Sequence, residues 1–267
     1  MTLEEIEKLL RSRGVKAVHL ASTQSLSSRS KLGGLPDVPR DFTWPVWNGR
    51  PLSFVAQIDL STLPPLETLP GLPAQGLLYF FFDQEESPWG YDPKDLGGWR
   101  VLYCPDPSAP STATVPPGLK GDFIFKEKQV GPRAISSFPD FGSLGPSALD
   151  FAVEAVDVED QLRSAEFAGE PEHQIGGFPH PIQGDEMELE AQLASNGLYC
   201  GDSTGYRDPR ARVLAEGAKD WRLLLQVDYD SDTDMMWEDG GRLYFWIRTQ
   251  DLAQGDFSKV WMILQCF

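Results

Sequence analysis

The segment His173-Gln174-Ile175-Gly176-Gly177-Phe178-Pro179-His180 concentrates residue types that can do chemistry. Two imidazoles flanking a glycine doublet can exchange protons or ligate a metal at neutral pH. Gly176 and Gly177 can turn their N–H groups toward an anion in a backbone nest, or simply make a tight turn. Spacing within a loop fixes no geometry, so a metal here would need carboxylates from elsewhere, such as Asp185 or Asp228. A second doublet, Gly33-Gly34, follows Arg29 and Lys31. Those cations can grip a phosphate or carboxylate together with the glycine amides, or they belong to an ordinary surface. Lys31 and Asp37 stand in place of the histidines there, so any histidine chemistry would not be duplicated.

Asp228, Asp230, Asp232 and Asp234 alternate, with Glu238 and Asp239 beyond. The pattern resembles a calcium loop, but Thr233 occupies the position where an EF-hand needs glycine, and the flanks read as strands. A solvated acidic connection is favoured, its repulsion relieved by basic side chains such as Arg222 or Arg242. Gln57 and Gln226 lie inside apolar strands, and a buried amide must find partners, either a neighbouring turn or a ligand. No Walker loop, nucleophile elbow, dinucleotide fingerprint or zinc pattern is present. No resident metal or cofactor is expected.

These residues sit on a repeating order of elements. Phe54–Asp59 echoes Leu223–Asp228, and Gly76–Phe82 echoes Gly241–Ile247. A glycine doublet precedes each pair, and a strand rich in valine and aromatics follows it: Val101–Cys104 and Val260–Ile263. The order predicts an α+β fold, mainly antiparallel β-sheet, built from two pseudo-repeats with a few flanking helices. The first spans about 1–105 and the second about 149–267, within one domain of 267 residues whose halves share a core. Apolar runs such as 77–82 and 242–247 need cover on both faces. Thr2-x-x-Glu5 and Asp185-x-x-Glu188 read as capping boxes, the second helix ending at Gly197. A helix is expected over 149–167 and a strand over 123–126. Asn48-Gly49 marks a hairpin turn, whereas 132–146 holds too many breakers for a regular element.

The net charge of −17 is uneven: residues 1–100 carry 12 acids and 10 bases, the remainder 28 and 13. An acidic second half repels nucleic acid and anionic lipid and favours a basic protein as partner, unless it serves only solubility. Three scattered cysteines fit a reducing compartment, and no membrane span or secretory signal is evident, so a cytoplasmic location is expected.

Lys31-Leu32-Gly33-Gly34-Leu35-Pro36, Trp44-Pro45, Gly76-x-Leu78-Tyr79-Phe80-Phe81, His173–Gly177, Pro181–Asp185, Trp221–Asp228 and Gly241–Ile247 together resemble the YwqG-like family, a bacterial domain of unknown function. The resemblance runs from about residue 30 to the end. It implies one α+β domain with β-rich repeats and carries no established reaction. Some members sit beside secreted toxins, which implies an immunity-like role. Two functions follow as expectations. One is a non-enzymatic interaction protein with an acidic face for a basic partner. The other is an enzyme or small-ligand binder in a cleft between the repeats, near His173, His180, Asp185 and Asp228. The ligand-contacting candidates are Lys31, Gly33, Gly34, His173, Gly176, Gly177, His180, Asp185, Gln226 and Asp228.

Overall fold

The apolar runs pair side by side into one antiparallel sheet of ten strands. The computed structural model describes residues 2–25, 28–107, 110–140, 152–184 and 186–267, leaving aside the side chains of 152–155 and 157. In chain order the strands are β1 (Val15–Ser22), β2 (Lys31–Leu32), β3 (Asp37–Val38), β4 (Val46–Trp47), β5 (Arg50–Pro51), β6 (Ser53–Asp59) and β7 (Leu77–Phe82). There follow β8 (Trp99–Cys104), β9 (Ser111–Thr112), β10 (Lys128–Ser137), β11 (Gln174–Ile175), β12 (Trp221–Val227), β13 (Arg242–Arg248) and β14 (Trp261–Gln265). The large sheet runs β14-β13-β12-β11-β1-β10-β2-β6-β7-β8.

This order has two arms, β2-β6-β7-β8 and β11-β12-β13-β14, meeting at a central pair. Each central strand lies against the opposite arm. β1, from the start of the chain, pairs with β11, while β10 pairs with β2. The arms share a further irregularity, because the β6–β7 register slips between Phe54 and Ala56, and the β12–β13 register slips between Leu223 and Leu225. An extra residue at such a slip bends and twists its strand. The sheet curls until its arms face one another, with Phe80 and Phe245 ring centroids 5.1 Å apart and those of Trp99 and Trp261 5.0 Å apart. One cluster of buried apolar side chains therefore runs through both arms. At the curled ends, Leu264 N–H donates to Trp89 O (3.0 Å), and Trp261 Nε1–H donates to Gly90 O (2.8 Å). The segment after β7 thus covers backbone that β14 would otherwise leave open.

Helix α1 (Leu3–Arg13) starts at the Thr2/Glu5 capping box and buries Ile6 and Leu10 against Phe138 and Leu162, the latter on α2 (Ala152–Phe167). The start expected for α2 lies outside the described residues. Helix α3 (Met187–Ser195) covers β12 and β14, and Gly197 follows it at φ +86°. Its N-cap is Glu186 without a side-chain capping bond, and Asp185 lies outside the described residues. Short helices α4 (Ser203–Arg207), α5 (Ala211–Leu214) and α6 (Thr249–Ala253) complete the fold. Asn48 and Gly49 both take positive φ, 48° and 77°, as the expected β4–β5 hairpin turn requires. Among the described residues no helix is long and apolar enough to cross a membrane.

Two expectations are corrected. The stretch from 132 begins inside β10, the longest strand among the described residues, despite Gly131 and Pro132, while its part from 141 on lies outside them. Pro132 stands opposite Leu20, whose N–H points the other way to His173 O. That pair exchanges no hydrogen bond, so the missing proline N–H costs β1 nothing. Residues 123–126 form no strand, since the chain makes a 3-10 turn at Gly121–Phe123 and then runs on irregularly.

Candidate functional site

Each arm carries a buried glutamine that clips the glycine-doublet turn onto the sheet. Gln226 Oε1 accepts from His180 N–H (2.9 Å), and its Nε2 donates to Glu172 O (2.9 Å). Gln57 Oε1 accepts from Asp37 N–H (2.8 Å), and its Nε2 donates to Arg29 O (2.6 Å). A tyrosine on the next strand fastens, through its carbonyl, the residue whose N–H the glutamine accepts from: Tyr244 OH donates to His180 O (2.6 Å) and Tyr79 OH to Asp37 O (2.8 Å). One side chain thus satisfies both ends of a loop that would otherwise bury unpaired backbone.

The doublets are built for close packing. Gly33 and Gly34 take φ +60° and +69°, Gly176 and Gly177 +66° and +76°. A Cβ on Gly33 would lie 2.3 Å from Lys126 O, and one on Gly177 would lie 2.6 Å from Ser137 Cβ. The anion-nest expectation does not match the bonding. Gly33 N–H donates to Val55 O, Gly34 N–H to Phe125 O and Gly177 N–H to Thr68 Oγ1. Nor is Lys31 free for a ligand, because its buried ammonium lies between Asp37 (3.1 Å) and Glu127 (3.2 Å).

Around the second doublet His173, His180 and Asp228 come together in a chain of hydrogen bonds and ion pairs. Asp228 N–H donates to His173 Nδ1 (3.2 Å), which puts the ring proton on Nε2, facing Asp230 Oδ2 at 3.2 Å. In the first arm Ser30, rather than Lys31, holds the equivalent place, its Oγ accepting from Asp59 N–H (2.9 Å). Lys128 bridges Asp230 and Asp232 at 2.9 Å each, and Lys126 meets Asp234. Burial by itself would raise the Asp230 carboxyl, but bonds from His173, Lys128 and Asp232 N–H hold it at about 2. Arg242 Nε donates to Asp228 (2.7 Å), and the guanidinium also reaches Glu172 (3.4 Å). His180 Nδ1 bonds Glu172 Oε2. Burial opposes ionisation of Glu172, yet His180 and Arg242 keep its carboxyl below the ordinary range. Arg222 takes no part in relieving the acids, donating instead to Lys219 O and Trp221 O.

A third histidine, which no sequence pattern marks, lies next to this chain. His19 is fully buried, with Nε2 on Pro171 O (3.0 Å) and Nδ1 facing the Arg133 guanidinium (2.8 Å). Burial, and then the Arg133 charge, push its pKa down to about 4. Among the described residues no group of three or more histidine, cysteine or acidic side chains is disposed to hold a metal.

Chemically, this arrangement locks turns to strands. Its polar atoms bond one another, and the principal cavities are lined by none of Lys31, the doublet glycines, His173, His180, Gln226 or Asp228. One cavity, of about 640 Å³, opens instead where the 86–95 loop meets Glu190 and Tyr199–Gly201. Sequence reasoning gave it no attention, because its walls come from distant segments without a shared motif.

No curated protein matches the sequence. A family profile does, over residues 30–266, which takes in both arms, both doublets and both clipping glutamines, Gln57 and Gln226. On that match the chain belongs to the family described as a domain of unknown function, DUF1963.

Proposed function

We propose that this chain is a cytoplasmic, non-enzymatic binding protein whose acidic second half engages a basic protein partner, in an immunity-like role. Within its family we place it among the YwqG-like members. The observation that carries the reading is the state of the reactive side chains. His173, Asp228, Asp230 and Glu172 are consumed in bonds to one another and to backbone, away from the principal cavities. Charge supports it, since 28 acids against 13 bases in residues 101–267 favour a cationic surface opposite. The shared register slips and the matched Gln57 and Gln226 clips support descent of the two arms from one duplicated unit.

The test is a binding titration against candidate basic partners across ionic strength. Association steered by charge should weaken at least tenfold between 50 and 500 mM salt, about 1.4 kcal/mol, chiefly through slower on-rates. Preference for acidic partners, or affinity indifferent to salt, would sink the proposal.

A further inference from the structure

The cavity at the junction of the arms combines three features of different kinds. The first is its walls. Trp89 and Tyr91 contribute rings 6.5 Å apart and tilted by 40°, while Tyr199, 42% exposed, closes one side. Aromatic faces of this sort attract flat cations. The second is charge, for the lining includes Glu86, Asp92, Asp95 and Glu190 and no basic residue. Two cations lie close by: Lys94 lines a neighbouring cavity beyond Asp92 and Tyr199, and Arg50 pairs with Glu86.

The third feature is a pair of polar atoms left without partners. Most of the carboxylates are engaged: Glu86 with Arg50 (3.3 Å), Asp95 with Gly90 N–H (2.9 Å), and Asp92 with Lys94 N–H (2.9 Å). Glu190 Oε1 accepts from Tyr206 OH at 3.3 Å, but its Oε2 is buried and bonds nothing. Ser87 Oγ, on the same cavity, is likewise buried and unbonded. Ser87 also holds φ +47°, a left-handed conformation that costs a serine roughly 1 kcal/mol. An unpaired buried carboxylate oxygen and hydroxyl are each unfavourable unless something donates to them.

We propose that this cavity receives the guanidinium of an arginine side chain, with Glu190 as its anionic anchor and Trp89 and Tyr91 as its stacking faces. A guanidinium offers several N–H donors in one plane and stacks on aromatic rings while pairing with carboxylate; an ammonium is a compact point charge that does neither as well. The volume is within the usual range for ligand sites and takes the whole side chain, with its peptide at the mouth. The proposal deepens the reading of a basic partner and rests on it: the arginine is the part of that partner which enters the molecule.

Burial, reinforced by Glu186 and Glu188, pushes the Glu190 carboxyl up to about 7. The other titratable groups around it are Tyr91, Tyr206 and Cys200, all raised by burial, with Asp92 and Asp95 on the facing loop. Guanidinium binding therefore ionises Glu190 and releases a proton.

The experiment is an NMR titration with Nα-acetyl-arginine methylamide, following the Trp89 indole resonance assigned from Trp89→Phe. Affinity should rise about tenfold from pH 6 to pH 8 as Glu190 ionises. Glu190→Gln should weaken binding at least tenfold, abolish that pH dependence and leave the fold at least as stable. The lysine analogue should bind at least tenfold more weakly. Equal binding of both probes, or an unchanged Glu190→Gln variant, overturns the arginine site. If Glu190→Gln still binds a basic partner with the salt dependence predicted above, the cavity proposal fails while the reading of an acidic interaction protein stands.

Discussion

His19 and Glu190 pull the stability of this protein in opposite directions over the same pH range. His19 is about 4 in the fold against 6.5 when free, so from pH 6.5 down to 4 the unfolded chain binds the extra proton and acid destabilises. Glu190 is about 7 in the fold against 4.5, so between those values the folded chain holds the extra proton and acid stabilises. One proton each way makes the two slopes offset. Glu190→Gln should steepen stability against pH by about 1.4 kcal/mol per unit between pH 4.5 and 6.5, rising with pH; His19→Gln should tilt it the other way. Denaturant midpoints at several pH values measure this, and parallel curves for both variants would refute it. Neither residue announces itself in the sequence. Gln57 and Gln226 did, as polar residues in apolar runs, and Asp228 did through its acidic neighbours. Lys126 and Lys128, which neutralise those neighbours, come from an irregular stretch and a strand distant in sequence, where a lone lysine has no pattern to betray its partner.

At the scale of elements, local chemistry was legible and long-range pairing was not. The Asn48-Gly49 hairpin, the α1 capping box and the apolar β7 and β13 each follow from a few adjacent residues. β10 escaped because glycine and proline read as breakers when the neighbouring strand is unknown. Only beside Leu20, whose N–H turns away, does Pro132 become harmless. The junction of the curled ends shows the same dependence on context. Gly90 has φ +82°, and a Cβ there would sit 1.8 Å from Met262 O. Gly90→Ala must push the 88–91 segment off β14, at a cost of about 2 kcal/mol or more. A melting curve matching the parent would show that the ends do not depend on this contact. Site legibility fails for a related reason: Trp89, Glu190 and Tyr199 converge only after two turns of chain have met.

At the scale of the whole molecule, the exchanged central strands decide what can fold alone. β1 pairs along its length with β10, Val15 opposite Ser137 and Ser22 opposite Val130, and touches the second arm through β11. Fragments 1–116 and 117–267 should each lack sheet structure by circular dichroism, and recover it as a 1:1 complex when mixed. A folded, monomeric 1–116 fragment would contradict this. The same exchange bears on biosynthesis. The ribosome delivers β1 early, yet its main partner emerges only after both the first arm and the loops beyond it. Until then Ala17, Val18 and Leu20 belong to an open, apolar edge, the type of segment that sticks to other nascent chains or is held by chaperones. Translation beyond Ser137, rather than completion of the first arm, sets the moment when this chain escapes that hazard.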